Sequence, residues 1–162
     1  GKPHWPHPTK PASFPNFITF DAHDPRVQNA IPLNGFDNFM PTYQFVKAIF
    51  KHDKTLKIDK EHLMVISPDE GAMNRAVYLA NNLGVDMGMF YKRRDYSTVI
   101  GGKNPIVAHE FLGDDIRGKN VIIVDDMISS GESMLDVARQ IKGAGSRTGL
   151  CMHHIRSLHR WI

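Results

Sequence analysis

Cysteine is nearly absent from this chain of 162 residues, in which Cys151 stands alone. One thiol cannot build an internal disulfide framework, so a small secreted fold held together by disulfides is excluded. Long apolar runs are missing as well, since no stretch approaches the roughly 18 residues of a membrane-spanning helix. These absences favour a soluble protein of a reducing compartment, and we expect a cytoplasmic location and no membrane partner.

A strong excess of charge of either sign is also lacking. Lys and Arg together number 20 against 17 Asp and Glu, which gives a formal net charge of +3. This mild excess suits anionic metabolites, but it does not supply the continuous basic stripe that nucleic acids require. We therefore expect no nucleic-acid partner.

Residues 1–16 contain no apolar segment of the signal-peptide type and are rich in Pro and His, which predicts an extended arm or linker remnant. One α/β domain is expected over residues 17–150, because 162 residues with 41% hydrophobic content are too few for two ordinary cores. Residues 151–162 are predicted to be a basic surface tail. His153, His154 and His159 fall in that tail and are not expected to form a metal cluster.

Short apolar strands alternate with amphipathic helices along the rest of the chain. Strands are predicted at residues 17–23, 62–67, 87–93 and 119–126, and helices at residues 41–53, 74–84 and 133–145. Such alternation with short connections is typical of a parallel sheet with helices on both faces. The predicted fold class is therefore α/β.

Polar residues follow the predicted strands at their carboxyl ends, in the segments "DAH", "SPDEG", "YKRR" and "DDMISSGES". In sheets of this kind, ligands bind beyond the carboxyl ends of the strands. We therefore expect these four polar loops to converge on one crevice.

The clearest buried strand runs into the loop "DDMISSGES" and then into a helix. Backbone N–H groups and small hydroxyls at a helix N-terminus favour a phosphate dianion. Asp125 and Asp126 at the start of this loop can accept hydrogen bonds from the vicinal hydroxyls of a ribose. The residues predicted to hold the phosphate are Ser129, Ser130, Gly131 and Ser133.

This loop resembles the phosphoribosyl-diphosphate loop of the type I phosphoribosyltransferase fold. From about Phe17 to Gly149 the chain is similar to the C-terminal half of ribose-phosphate diphosphokinase, also called phosphoribosyl-diphosphate synthetase. Three further segments resemble motifs of that family and occur in the same order along the chain: "FDAHDP", "VISPDEGAMNR" and "YKRRD". The family's N-terminal half has no counterpart in the sequence, which implies a fragment of a longer enzyme.

The resemblance implies a role for each of these loops. His23 and Asp69 would bind Mg²⁺, and Lys92 and Arg94 would be catalytic cations that follow a strand. The diphosphate loop implied by the family comprises Asp69, Gly71 and Arg75. The Gly-containing stretch at residues 95–105 suits a lid that brings cations onto the reacting phosphates.

The family's reaction is a step of nucleotide biosynthesis. It transfers the diphosphate of ATP to the 1-hydroxyl of ribose 5-phosphate, giving 5-phosphoribosyl 1-diphosphate and AMP. The resemblance therefore implies ribose 5-phosphate and ATP as partners, and it suggests a homo-oligomer.

Two other functions stay open at this point. The first is a stand-alone phosphoribosyltransferase that acts on a nucleobase. Two features of the phosphate loop favour it. Ser129 occupies the position at which the diphosphokinases have an acidic residue, and Gly131 lies one position before their glycine. The second is a non-catalytic regulatory or associated subunit that retains the phosphate loop. Lys92, Arg94 and the "DAH" segment favour the diphosphokinase over both.

Overall fold

The structure is a computed structural model of the chain. It describes residues 16–30, 35–94, 97, 99, 106–127, 131–152 and 158–161. The chain divides into two compact units, one ending at Pro41 and the other running from Thr42 to Ile162.

The first unit contains a two-stranded parallel sheet of β1 (Asn16–Phe20) and β2 (Gly35–Phe39). A 3-10 helix at Pro25–Ala30 lies between them in the sequence. Phe17 stacks on Phe36 across the two strands, with ring centroids 5.3 Å apart. β1 ends earlier than the predicted strand at residues 17–23, because Asp21 has a φ of 45°, a left-handed conformation that does not continue a strand.

The second unit is built on a six-stranded sheet with the order β5-β4-β3-β6-β7-β8. Its strands are β3 (Leu63–Ser67), β4 (Asp86–Arg94), β5 (Ile106–Leu112), β6 (Asn120–Val124), β7 (Thr148–Met152) and β8 (Leu158–Trp161). The four inner strands are parallel, and β5 and β8 run antiparallel to their neighbours at the two edges.

Helices cover both faces of this sheet, as the α/β prediction requires. They are α1 (Thr42–His52), α2 (Met73–Leu83) and α3 (Glu132–Gly143). Side chains of a strand point alternately to the two faces. Leu63 and Val65 of β3 accordingly share a core with Leu79 of α2, while Met64 and Ile66 share the opposite core with α3. The predicted fold class is confirmed.

Three strands of this sheet are absent from the predicted pattern, namely the inner strand β7 and the edge strands β5 and β8. β5 follows the stretch predicted to be a lid and pairs with β4, where the rings of Phe90 and Phe111 lie 5.3 Å apart. β8 lies inside the segment predicted to be a basic tail, and Leu158 pairs with Met152 of β7. The predicted domain boundaries stay predictions.

A left-handed glycine adjoins one end of α2 and one end of α3. α2 ends at Gly84, which has a φ of 67° and donates its N–H to the last turn, as the sequence predicts. α3 is preceded by Gly131, which has a φ of 79°. Within the part of the chain that the structure describes, no helix has the length and apolar character needed to cross a membrane.

Candidate functional site

The carboxyl ends of β3 and β6 lie side by side, because the two strands are adjacent and parallel, with Ile66 opposite Ile123. The loop after β3 carries Asp69, and the loop after β6 begins with Asp125. These loops therefore emerge at the same edge of the sheet, where α/β folds bind their ligands.

The loop after β3 is a tight turn that leads directly into α2. The Asp69 carboxylate accepts hydrogen bonds from the N–H groups of Gly71 and Ala72 at 3.0 and 3.3 Å. The Ser67 hydroxyl donates to the Asp69 carbonyl oxygen at 2.6 Å. Asp69 thus fixes the local shape of the loop, as an aspartate in a turn commonly does.

The loop after β6 is tied to α2 by a buried ion pair. Arg75, in the first turn of α2, places Nη2 at 3.2 Å from Oδ2 of Asp126. The two side chains are only 9% and 6% exposed. The N–H of Asp126 also donates to Oδ1 of Asp125 at 2.9 Å. Asp125 itself is half-buried, so it is the more accessible of the two acids.

Asp125 lies in an environment that disfavours its charge. Burial, together with a hydrogen bond to the Asp126 side chain, raises the pKa of Asp125 to about 7. The negative charges of Asp69 and Asp126 act in the same direction, while the N–H of Asp126 opposes them. A hydrogen-bond donor or a cation placed here would relieve the excess of negative charge.

The N-terminus of α3 follows the same loop. Gly131 holds a left-handed conformation, and its carbonyl oxygen accepts the N–H of Leu135 at 2.9 Å, which starts the helical hydrogen bonds. The N–H groups of the first turn have no partners within a helix, and the helix dipole adds partial positive charge there. This end of α3 therefore has the physical character of an anion site.

A model of the phosphoribosyl transferase domain matches residues 45–159, which include every element from α1 to β8 at least in part. The chain belongs to the phosphoribosyl transferase domain family. The loop with Asp125, Asp126 and Gly131 falls within the matched span.

Individual relatives indicate a more specific similarity than the domain family does. A ribose-phosphate pyrophosphokinase of Chlorobaculum tepidum is 34% identical over 128 residues, covering 79% of this chain and 36% of the relative. Another of the same name from Methanopyrus kandleri is 34% identical over 140 residues, covering 84% of this chain and 43% of the relative. Pyrophosphokinase is another name for the diphosphokinase, so the resemblance identified in the sequence is confirmed. The chain spans well under half the length of these relatives.

A solved structure supports the fold. Phosphoribosylpyrophosphate synthetase from Mycobacterium smegmatis superposes with a TM-score of 0.65 at 22% identity, over 86% of this chain and 41% of that one. The predicted type I phosphoribosyltransferase-like architecture is confirmed.

The structure brings most of the predicted family residues with described side chains to the carboxyl edge of β3 and β6. These are Asp69, Gly71, Arg75, Asp125, Asp126 and Gly131. Ser129 and Ser130 lie outside the described residues, as does the side chain of Ser133. The ligand roles predicted for all of them stay predictions.

The predicted catalytic cations lie within a strand and do not follow it. Lys92 and Arg94 are among the last residues of β4, where their backbones pair with His109 and Ile106 of β5. β4 ends at Arg94, one residue beyond the strand predicted at residues 87–93. The side chains of Lys92 and Arg94 lie outside what the structure describes.

The predicted magnesium ligands belong to different units, His23 to the first and Asp69 to the second. Among residues 16–30, 35–94, 106–127 and the other described stretches, no group of three or more His, Cys, Asp or Glu side chains is arranged to hold a metal ion. The magnesium site therefore stays a prediction.

The ion pair between Arg75 and Asp126 was not anticipated from the sequence. A signal for it exists, because helical spacing places Arg75 in the buried stripe of α2 with Ala76, Leu79 and Ala80. A cation in an apolar stripe requires a buried partner. The sequence does not reveal which acid supplies it.

Proposed function

We propose that the chain is the sugar-phosphate-binding part of a ribose-phosphate diphosphokinase. The observation that carries this proposal is the acidic loop after β6, with Asp125 at the sheet's carboxyl edge and the N-terminus of α3 close behind it in sequence. Curated relatives of that name, 34% identical to the chain, support the same activity.

In this proposal, Asp125 and Asp126 accept hydrogen bonds from the ribose hydroxyls. The 5-phosphate lies at the N-terminus of α3, where the left-handed Gly131 turns the chain into the helix. Hydroxyls of Ser129, Ser130 and Ser133 add donors to the phosphate oxygens. A sugar phosphate would thus span the loop from its acidic start to its small-residue end.

The 1-hydroxyl of the bound sugar attacks the β-phosphorus of ATP, loses its proton, and displaces AMP as the leaving group. Such transfers depend mainly on positioning and on neutralising the phosphate oxygens. We assign that neutralisation to Lys92 and Arg94, which belong to β4, the neighbour of β3. The lid expected at residues 95–105 would lie beside them in sequence.

Magnesium belongs to the same proposal, with Asp69 and His23 as its protein ligands. Burial raises the pKa of Asp125, and the charges of Asp69 and Asp126 act in the same direction, so a divalent cation would favour its ionised form. Mg²⁺ prefers carboxylate and phosphate oxygens. Bound there, the ion would neutralise phosphate charge. Assembly into a homo-oligomer and a cytoplasmic location complete the proposal.

Release of AMP from ATP, measured with Mg²⁺ and ribose 5-phosphate on the natural-length protein, tests the activity. We expect Lys92→Ala and Arg94→Ala each to reduce turnover by roughly 10²–10³-fold, the scale for losing one charge-stabilising donor. The affinity for ribose 5-phosphate should change little, because these cations meet the diphosphate.

Lys142→Ala is a matched control, because it removes a cation from the last turn of α3, away from the loop after β6. It should leave turnover near that of the unaltered protein. Near-normal turnover in both the Lys92 and Arg94 variants would contradict the proposal.

The same assay on the 162-residue chain separates binding from transfer. The chain covers 36% and 43% of two diphosphokinase relatives, so most of their length has no counterpart in it. We expect it to bind ribose 5-phosphate without releasing AMP, because losing part of the ATP pocket removes the positioning on which transfer depends. Robust AMP formation would show that the part of the relatives without a counterpart in this chain is not needed for the transfer.

A stand-alone phosphoribosyltransferase is the second candidate. The match to the phosphoribosyl transferase domain favours it, because that family description names the transfer of the phosphoribosyl group. Consumption of 5-phosphoribosyl 1-diphosphate in the presence of purine or pyrimidine bases, without AMP release from ATP, would identify this function.

A further inference from the structure

The buried ion pair of Arg75 and Asp126 joins the two loops that form the candidate site. Arg75 follows the turn of Asp69 and Gly71 by a few residues, at the start of α2. Asp126 directly follows Asp125 and donates its N–H to that residue. The pair therefore links the loop after β3 to the loop after β6 through side chains that are 9% and 6% exposed.

Burial on this scale limits what Arg75 can contact. A guanidinium that is nine-tenths buried has little surface left for a diphosphate, and its Nη2 lies 3.2 Å from the Asp126 carboxylate. Losing the guanidinium would take the positive charge of Arg75 away from the desolvated Asp126 carboxylate, which is unfavourable. The loop after β6 would have to move or take up a proton in response.

We propose that Arg75 is a positioning residue that acts on the sugar phosphate through Asp126 and makes no direct contact with the diphosphate. This inference rests on the proposed function for the identity of the ligand. Arg75 holds the Asp126 carboxylate, and Asp126 in turn fixes the backbone from which Asp125 faces the sugar. The first turn of α2 and the loop after β6 then act as one unit.

The competing possibility is that Arg75 binds the diphosphate directly, as the family resemblance implies. The two roles differ in how substitutions combine. Residues that act through one another show non-additive effects, whereas independent contacts with different parts of the ligand show additive effects. A double-mutant cycle of Arg75→Met and Asp126→Asn therefore separates the two roles.

The cycle is measured on the full chain by calorimetry, with ribose 5-phosphate and inorganic diphosphate as separate probes. We expect Arg75→Met alone to weaken ribose 5-phosphate binding about tenfold, the usual size of coupling between residues in contact. In the Asp126→Asn background the same substitution should have no further effect on that affinity. Diphosphate affinity in that background should also be unaltered by Arg75→Met.

Stability provides a second readout that needs no ligand. Each single substitution breaks a buried pair and should lower the Tm by about 10 °C, while the double variant should recover most of that loss. Arg117→Met is the matched control, because Arg117 and Asp115 form a pair whose side chains are 78% and 56% exposed. That control should shift the Tm by less than about 2 °C.

A substitution that keeps the positive charge of residue 75 tests the positioning role further. Arg75→Lys keeps a cation beside Asp126 and should retain more ribose 5-phosphate affinity than Arg75→Met. If Arg75→Met does not fold, the comparison of the double variant with Asp126→Asn and Arg75→Lys still decides, because none of these variants removes the cation while keeping the buried carboxylate.

A further loss of diphosphate affinity when Arg75→Met is added to Asp126→Asn would overturn the inference, since it would reveal a direct contact. The inference would also be overturned if the loss of ribose 5-phosphate affinity in the double variant equalled the product of the losses in the two single variants. If the unaltered chain bound diphosphate but not ribose 5-phosphate, the proposed function would fail and the positioning role with it. That outcome is distinguishable because it requires no variant.

Discussion

Particular acids at the two ends of the six-stranded sheet have contrasting surroundings. At the amino end, Asp59 shares a hydrogen bond with His62 at 2.7 Å and Asp115 pairs with Arg117, both close neighbours in sequence, while Asp86 pairs with the more distant Lys60 at 3.4 Å. At the carboxyl end, Arg75 of α2 pairs with Asp126 beyond β6, a partner distant in sequence. The pairs of Asp59 and Asp115 are exposed, whereas the pair of Arg75 and Asp126 is buried.

The pKa values of the aspartates diverge accordingly. A hydrogen bond from Arg117 lowers the pKa of Asp115 to about 2, and one with His62 lowers that of Asp59. Burial raises the pKa of Asp125 to about 7. Asp59 and Asp115 are thus stabilised as anions by their neighbours, whereas Asp125 is not. A strongly perturbed pKa is a common property of residues in functional sites.

The largest expected contrast concerns sugar binding. Asp125→Asn should weaken ribose 5-phosphate binding about 10- to 100-fold, because a hydrogen bond to a charged group contributes roughly 1.5–3 kcal/mol. Asp115→Asn, the same change at the opposite end of the sheet, should leave the affinity unaltered. Calorimetry measures both, with circular dichroism as the check on folding. Equal affinities in the two variants would remove Asp125 from the site.

A second contrast uses two left-handed glycines, Gly84 after α2 and Gly131 before α3. Gly84→Ala and Gly131→Ala should each lower the free energy of unfolding by about 1–2 kcal/mol, because a side chain disfavours positive φ. Only Gly131→Ala should also weaken binding of inorganic phosphate, since Gly131 precedes the N-terminus of α3 while Gly84 ends α2. Chemical denaturation and phosphate titration give the two readouts. Equal phosphate affinities would place the anion elsewhere.

The smallest expected contrast is in the pH dependence of stability. The folded-state pKa of Asp125 is above its ordinary value, so the unfolded chain loses this proton first and stability falls as pH rises from about 4 to about 7. Asp125→Asn should therefore raise the Tm more at pH 8 than at pH 5. For Asp115, whose pKa is lowered, stability is present above about 4 and is lost as pH falls towards 2.

Asp115→Asn should accordingly lower the Tm slightly at pH 8, with a shift of no more than about 2 °C because the pair is exposed. Thermal unfolding at the two pH values measures both variants. If Asp125→Asn lowered the Tm at pH 8, the carboxylate would be stabilised in the folded chain and the contrast between the two ends would disappear.

The inner strands β3, β4 and β6 could be predicted because their signals are local, whereas the inner strand β7 was not predicted. β3 and β6 are buried on both faces and therefore occur as continuous apolar runs, and Gly84 ends α2 as a left-handed residue must. The edge strands β5 and β8 depend on antiparallel partners elsewhere in the chain, which no local pattern specifies. These two strands could therefore be identified only from the structure.

The site follows the same division. Asp125, Asp126 and Gly131 could be predicted from the sequence because they lie in one strand-to-helix connection, the loop after β6. The ion pair of Arg75 with Asp126 and the raised pKa of Asp125 arise from packing between α2 and β6. Such long-range contacts change what a residue can do without changing the motif that contains it.

Chemical-shift changes of backbone amides during titration with ribose 5-phosphate test the central claim most directly, because they report on both ends of the sheet in one experiment. We predict large shifts for Asp126 and Gly131 at the carboxyl end, and none for His62 and Arg117 at the amino end. Shifts confined to the amino end, or no shifts at saturating ligand, would contradict the assignment of the carboxyl edge as the sugar-phosphate site.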